Sequence, residues 1–285
     1  MTIKEVRNGE LNDPDYEEWM SEPLNKNKGF QYEQKLFNSF YDAGLTPRGF
    51  VPAGSANDLP DLKFLYFDPG ARNISASVKP SEYKMEIKLD DKADYGQSGL
   101  GYANNKWVLQ GKSDPEAILM RKMLEGVGVP GIVNKVWGPK GAPRKFTADK
   151  TGRDMLRRDI EMDKRNFGDI YLTGADAPPL RTLFRYYGSK DTHYIQIGGK
   201  GLYYMQKDPA NLKKLGVKKF DGTLKLRIRR KMSGSSTEQW NYRFSTALML
   251  DRKPTKSNLD LDDYGSDARQ LLELFDPRGI ISPDK

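Results

Sequence analysis

Residues 84–89, KMEIKL, place charged side chains at alternate positions of a segment whose composition favours a buried strand. Because successive side chains of a strand point to opposite faces, the three apolar residues share one face, and Glu86 and Lys88 emerge side by side on the other. Such a pair has two explanations. It is a charge pair on a solvated sheet face, which contributes little to stability, or it is a carboxylate and an ammonium placed for chemistry.

The chain has 285 residues, with one histidine, His193, and no cysteine. The absence of cysteine excludes disulfides, thiolate zinc sites and cysteine nucleophiles, and a single histidine excludes the two-histidine metal motifs. Any bound metal must therefore be held by oxygen ligands. The net charge of +8 favours a polyanionic partner such as nucleic acid, or an anionic membrane surface.

The N-terminal residues contain no apolar leader, and no segment approaches the roughly 18 apolar residues of a membrane-spanning helix. We therefore expect a cytoplasmic protein without a membrane partner.

Periodicity and turn chemistry predict an α/β (α+β) fold with a small mixed β-sheet flanked by helices and a β-rich C-terminal part. Strands are predicted at 49–54, 61–67, 81–89, 106–110, 168–174, 193–197 and 201–206, with a long hairpin across 222–250. Helices are predicted at 30–44, 113–128, 153–166 and 266–275, with a turn-rich segment and a short helix at 94–105. The predicted domains are a polar lead-in at 1–28, a core at 29–175 and a substrate-binding part at 180–285, with the linker DAPPL at 176–180.

Glu33 is predicted to lie on the apolar side of the helix at 30–44. At 100° per residue it falls within the stripe formed by Leu36, Phe37 and Phe40. A carboxylate in that position is unfavourable unless it is paired or bound to a metal. The alternative is a residue at the end of the stripe whose carboxylate reaches water.

Asp61 follows Pro60 and opens the strand predicted at 61–67, so we expect it at a strand edge within reach of the next strand. Asp58, just before it, is a second candidate for the same role. Hard oxygen ligands of this kind suit Mg²⁺ or Mn²⁺, which retain several waters and also accept phosphate oxygens.

Three features in this order resemble the PD-(D/E)XK nuclease superfamily, which has the restriction-endonuclease-like fold. They are Glu33 on the first helix, the Pro60–Asp61 pair, and the Glu-Ile-Lys run at 86–88. The resemblance covers residues 28–110. It implies a restriction-endonuclease-like core at 29–175.

The resemblance also implies a role for each matching residue. Asp61 and Glu86 would ligate Mg²⁺, for which Mn²⁺ can substitute, together with the backbone carbonyl of Ile87. Lys88 would assist the nucleophilic water, and Glu33 would complete or tune the metal site. Gln97 resembles a glutamine that follows the motif strand in several branches and positions the substrate or the lysine.

The function implied is that of a Mg²⁺-dependent endonuclease that hydrolyses DNA phosphodiester bonds, of the restriction, phage or repair type. Such enzymes commonly act as homodimers. Two alternatives stay open: a non-catalytic nucleic-acid-binding protein that retains the fold, and a nuclease directed at RNA.

The hairpin predicted across 222–250 alternates basic and apolar residues on its first strand. A basic β-ribbon can follow a phosphate backbone or enter a groove of double-stranded DNA, although a solvated sheet face has the same pattern. The residues predicted to bind DNA are Lys225, Arg227, Arg229, Arg230, Lys231 and Arg243.

Overall fold

The computed structural model describes residues 28–47, 49–50, 60–67, 80–110, 115–137, 144–233, 237, 239–264, 267–277 and 279. The lead-in predicted at 1–28 lies outside these residues except for Lys28, and so do Asp58 and most of the strand predicted at 49–54.

The described chain is a mixed α/β structure, as the sequence predicts. Its helices are α1 (Lys28–Asp42), α2 (Pro115–Gly126), α3 (Val129–Trp137), α4 (Lys150–Phe167), α5 (Leu180–Ser189) and α6 (Ala268–Phe275). Its strands are β1 (Leu62–Tyr66), β2 (Ser81–Lys88), β3 (Gly96–Ala103), β4 (Lys106–Leu109), β5 (Ile170–Leu172), β6 (Tyr194–Ile197), β7 (Gly201–Tyr204), β8 (Lys218–Lys219), β9 (Thr223–Ser233) and β10 (Asn241–Arg252).

The chain divides into two compact units, each built from separate stretches of sequence. The first unit comprises Met1–Ala93, Tyr187–Asp221 and Pro254–Lys285, and the second comprises Asp94–Tyr186 and Gly222–Lys253. This division differs from the split at 175–180 that the sequence predicts. The difference arises because the hairpin of β9 and β10 pairs with β3 and β5, which precede the expected linker.

The first unit contains a mixed sheet in the order β1-β2-β6-β7-β8. Strand β2 is antiparallel to β1 and parallel to β6, so it is an inner strand with neighbours on both sides. Helix α1 covers one face of this sheet. The ring of Phe40 on α1 meets Phe64 of β1 and Phe275 of α6 edge-on, with centroids 6.1 and 5.2 Å apart.

Helix α1 ends as its sequence predicts. Gly44 adopts a φ of +67°, a left-handed conformation that glycine accepts without strain. The stripe of Leu36, Phe37 and Phe40 is buried in the main core of the first unit. The helix predicted at 30–44 is therefore confirmed, with a start two residues earlier.

The second unit contains an antiparallel sheet in the order β4-β3-β10-β9-β5. The prediction of turns and a short helix at 94–105 is wrong, because Gly96–Ala103 forms β3. Three glycines in β3 leave little side-chain pattern, and the strand is instead defined by its backbone pairing with β10, such as Leu100 opposite Phe244. Helices α3 and α5 were not predicted either.

The end of β2 is held by a close backbone approach at Gly198. The N–H of Gly198 donates to the carbonyl of Lys88 at 2.9 Å. A Cβ at this position would overlap the carbonyl oxygen of Leu89, so the backbone would have to move.

We predict that Gly198→Ala lowers the free energy of unfolding by about 1–3 kcal/mol, as overpacking usually does. The matched control is Gly188→Ala on α5, where a Cβ meets nothing within 4 Å. That change should be neutral or stabilise by up to about 1 kcal/mol. Urea unfolding of both variants is the measurement, and equal stability of the two would contradict the prediction.

Candidate functional site

Asp61 lies directly before β1 and beside the end of β2. Leu62 pairs with Met85 in the antiparallel ladder, so the residue before Leu62 lies beside those that follow Met85. The backbone N–H of Ile87 donates to Asp61 Oδ2, with the nitrogen 2.7 Å from the oxygen. The carboxylate of Asp61 is thereby held against the strand that carries the other candidates.

Glu86 and Lys88 form an ion pair in which Lys88 Nζ lies 2.6 Å from Glu86 Oε1. Their side chains are only 8% and 14% exposed, respectively. Met85 and Ile87 are fully buried in the core that α1 covers. The alternation predicted for Met85 to Lys88 is confirmed, and the alternative of a solvated charge pair is wrong. Leu89, predicted on the apolar face, instead follows the end of β2 and is exposed.

Tyr187 is a contact of Glu86 that the sequence did not predict. Its buried hydroxyl donates to Glu86 Oε1 at 3.3 Å. Tyr187 belongs to α5, whose segment LRTLFRYYGS has apolar and aromatic residues at helical spacing, the signal that would have found it. The other oxygen, Glu86 Oε2, is buried and accepts no hydrogen bond from the residues that the structure describes.

Glu33 is half-buried on α1 and lies within the electrostatic field of the same group. Burial raises the pKa of Glu33 to about 7, a rise that Glu86 reinforces and Lys88 opposes. A carboxyl group in this state exchanges its proton near neutral pH. The prediction that Glu33 lies on the sheet side of the helix agrees with this environment.

The charges of Asp61 and Lys88 each affect the pKa of the other group. Burial and the carboxylate of Glu86 raise the pKa of Asp61 well above its usual range, against the opposing ammonium of Lys88. Burial alone would lower the pKa of Lys88, but the carboxylates of Glu86 and Asp61 outweigh it and raise that pKa. Lys88 therefore stays an ammonium at neutral pH, and it is one cation among three carboxyl groups.

The donor set of this group fits a divalent cation bound by oxygen. Glu86 Oε2 is a buried acceptor without a partner in the described chain, and Asp61 supplies a second carboxylate nearby. No three acidic or histidine side chains within the described ranges are arranged to enclose a metal ion by themselves. Mg²⁺ usually takes only one or two carboxylates and keeps several waters, so Asp61 and Glu86 would be sufficient protein ligands. The ligand role of the Ile87 carbonyl stays a prediction.

Gln97 belongs to the second unit, on the exposed face of β3. Its side-chain amide donates to Asp94 Oδ2 at 2.6 Å, so it has a partner of its own. Its predicted role beside Lys88 stays a prediction.

A second buried polar group in the first unit involves Tyr32, the residue before Glu33 on α1. Gln196 on β6 is fully buried, and its amide donates to Tyr32 Oη at 3.2 Å and to Asp260 Oδ1 at 2.7 Å. Its carbonyl oxygen accepts from the N–H of Leu261 at 3.4 Å. Every polar end of Gln196 is thus paired, which indicates that it fixes the chain after Pro254 against the sheet. The sequence signal was a lone polar residue inside the apolar run HYIQI.

Strand β9 separates basic from apolar residues as the sequence predicts. Leu224, Leu226 and Ile228 are buried on one face. The other face carries four of the predicted cations, and Arg243 joins them because it pairs with Lys231 across the ladder. We call this surface the basic face; its residues are Lys225, Arg227, Arg229, Lys231 and Arg243.

Arg230 does not belong to the basic face. Side chains alternate along a strand, so Arg230 lies on the apolar side of β9. Its guanidinium lies over the ring of Tyr242, 4.1 Å from the centroid. Burial lowers the pKa of Arg230, with Asp159 acting in the opposite sense. Its grouping with the DNA-binding cations is therefore corrected.

Comparison with family models, curated proteins and solved structures finds no match to this chain. Within the part of the chain that the structure describes, no helix is long and apolar enough to cross a membrane. Function is therefore inferred from the geometry of the site.

The raised pKa of Glu33 predicts a pH-dependent loss of stability. Between its ordinary value of 4.5 and about 7, the folded protein holds a proton that the unfolded chain has released. The free energy of unfolding therefore falls as pH rises through this window, by on the order of 1–3 kcal/mol after allowance for partial exposure. Glu33→Gln should remove this part of the pH dependence, measured by urea unfolding between pH 4.5 and 8 in EDTA.

The matched control is Glu161→Gln, an exposed glutamate on α4, which should keep the wild-type pH dependence. If Glu33→Gln and wild type lose stability in parallel across the window, Glu33 does not take up a proton in the folded state.

Proposed function

We propose that this protein is a Mg²⁺-dependent nuclease that hydrolyses DNA phosphodiester bonds, with a restriction-endonuclease-like core in its first unit. The observation that carries the proposal is a group of four residues whose charges interact with one another: Glu33, Asp61, Glu86 and Lys88. The mixed sheet and the order α1, β1, β2 support it, because the PD-(D/E)XK resemblance implies a helix followed by two strands that carry or adjoin these residues.

The electrostatics of the group favour a bound cation. Three carboxyl groups surround a single ammonium, and burial and the neighbouring carboxylate of Glu86 raise the pKa of Glu33 and Asp61, because negative charge is unfavourable there without a further cation. A surface that only binds nucleic acid gains nothing from such a group, since carboxylates repel phosphates. A divalent cation would offset the excess charge and attract a phosphate at the same time.

The chemistry that follows is hydrolysis. The oxygen of a water molecule bonds to phosphorus while the bond from phosphorus to one ester oxygen breaks; the water loses a proton and the departing oxygen gains one. When bound by Asp61 and Glu86, the cation would supply activation of this water and neutralisation of the phosphate.

The chain's own residues divide the remaining tasks. Lys88 stays an ammonium at neutral pH because its pKa is raised, so it orients the water or a phosphate oxygen by donating hydrogen bonds and does not accept the proton. Glu33, with its pKa of about 7, can take up a proton near neutral pH. Tyr187 fixes the carboxylate of Glu86 through its hydroxyl.

A non-catalytic nucleic-acid-binding protein is the second candidate, and one observation favours it. Lys88 already pairs with Glu86 at 2.6 Å, and in the described chain no three acidic side chains enclose a metal position unaided. In that case Lys88 would serve only as an internal counter-ion. A nuclease directed at RNA would use the same group, and a homodimer would allow both strands of a duplex to be cut.

We predict that the protein nicks supercoiled plasmid with Mg²⁺ or Mn²⁺ and not with EDTA. Glu86→Gln and Lys88→Met should each reduce the rate by roughly 100-fold or more, since each removes a group that acts on the developing charge. Agarose gel assays of plasmid conversion against time measure the rates.

The same strand supplies matched controls. Glu82→Gln and Lys84→Met change the same residue types on β2, where Glu82 pairs with Lys63 and Lys84 with Asp191. Both should cut like wild type, and thermal melts establish that all four variants are folded. Equal rates of plasmid cleavage by Glu86→Gln and Glu82→Gln would contradict the proposed site. No cutting of DNA or RNA by the wild type would favour the binding protein.

A further inference from the structure

The basic face of the second unit has more cations than the described residues supply with counter-ions. Arg227 is the one member in salt-bridge distance of a described carboxylate, with Nη2 3.4 Å from Asp94 Oδ1. The Nε atoms of Arg227 and Arg229 are buried and have no hydrogen-bond partner among the described residues. Burial and the neighbouring cations Arg229 and Arg243 lower the pKa of Lys231. An anion bound here would satisfy donors that the fold leaves unpaired.

The cations form a row that matches an extended polyanion. Successive members on β9 are two residues apart, which is about 6.8 Å along a strand. Beside them on β10 lie the small residues Ser245 and Ala247, which pair with Arg229 and Arg227. A row of regularly spaced cations along a strand suits repeated phosphates better than one small anion.

An exposed aromatic ring adjoins this row. Tyr171 on β5 pairs with Arg227, so its ring lies on the basic face, and it is 49% exposed. Lys225 Nζ lies 5.8 Å from the centroid of this ring. An exposed tyrosine beside cations is the combination that stacks nucleobases while phosphates are held nearby.

On the far side of the row, Gln110 presents a side-chain amide. A Cβ at Gly101 would overlap this amide, which places the amide over β3 on the same face. The residue is exposed. It is a donor and acceptor suited to the edge of an unpaired base.

The side of the hairpin opposite the basic face is covered by α4. Met232, Trp240 and Tyr242 pack against Leu156 and Ile160 of α4.

Both β9 and β10 are inner strands of a five-stranded sheet where β5 pairs with residues 226–228 and β3 pairs with residues 244–248. The part of the hairpin with Arg229, Lys231 and Arg243 extends beyond these pairings. The hairpin is therefore not a free two-stranded ribbon along its whole length, and the entry of its basic face into a groove of double-stranded DNA stays a sequence prediction. The exposed ring of Tyr171 is the feature that favours a single strand, because an aromatic side chain on a protein surface stacks on bases that are unpaired.

We propose that the basic face binds a single-stranded stretch of nucleic acid, with phosphates against Arg229, Lys231 and Arg243 and a base stacked on Tyr171. The proposal rests on the proposed function for the identity of the polymer, and it adds that the bound part is unpaired.

The test measures the affinity of the full chain for a fluorescein-labelled oligothymidylate of about 20 nucleotides, which cannot pair with itself, and for a blunt duplex of equal length. Fluorescence anisotropy in EDTA gives Kd without cleavage. The single strand should bind at least about 10-fold more tightly than the duplex. Tyr171→Ala should weaken binding by about 5- to 100-fold, and Tyr171→Phe should retain it.

The double variant Arg229→Ala/Lys231→Ala should weaken binding at least about 10-fold and reduce the slope of log K against log salt by about 1.4, the value for two lost phosphate contacts on a single strand. The matched control is Lys213→Ala/Lys219→Ala, which removes the same charge from exposed positions of the first unit and should change little. Where the double alanine variant fails to fold, Arg229→Gln/Lys231→Gln replaces it.

Equal affinity for duplex and single strand, or equal loss of affinity in the two double variants, would overturn the proposal. These outcomes are independent of the nuclease site, because binding in EDTA requires no cleavage. A protein that binds the single strand through Tyr171 but never cuts would contradict the proposed function and leave this inference standing.

Discussion

The buried ion pair between Glu86 and Lys88 is the interaction on which the first unit depends. It lies on β2, an inner strand that pairs with β1 on one side and β6 on the other. Transfer of two charges out of water is expensive, and loss of one partner from such a pair is typically worth about 3–5 kcal/mol because the other charge is left uncompensated. The N–H of Ile87 holds the carboxyl group of Asp61 against β2. From there Asp61 also interacts with the ammonium of Lys88 and raises its pKa.

The two sheets carry different kinds of charge. The mixed sheet of the first unit holds carboxyl groups around one ammonium, Lys88. The antiparallel sheet of the second unit carries a row of cations, of which Arg227 pairs with a described carboxylate, Asp94. Each group is unfavourable in isolation, because like charges repel and burial weakens their hydration. For each group we propose a counterpart of opposite charge: a divalent cation in the first unit and a polyanion in the second.

The sequence predicted the features that follow from local periodicity. The alternation of Met85 to Lys88, the buried stripe of α1 and the two faces of β9 all depend on side-chain spacing alone. The errors have a common cause in pairing between distant segments. Three glycines leave β3 with too few side chains to show a pattern, and the strand is defined by its backbone pairing with β10. The same pairing joins distant segments, so each compact unit is built from separate stretches of sequence. Arg230 was misplaced because counting charges ignored the alternation that the same strand obeys.

The thermal stability of the protein in Mn²⁺ tests most directly whether the acidic group is a cation site. A ligand that binds only the folded state at a hundredfold excess over its Kd adds about 2.7 kcal/mol to the free energy of unfolding. We expect Mn²⁺ at pH 7.5 to raise the Tm of the wild type and of Glu82→Gln by roughly 5 °C or more, and to leave the Tm of Glu86→Gln unchanged. A shift of equal size in Glu86→Gln, or no shift in the wild type, would contradict a divalent cation at this site.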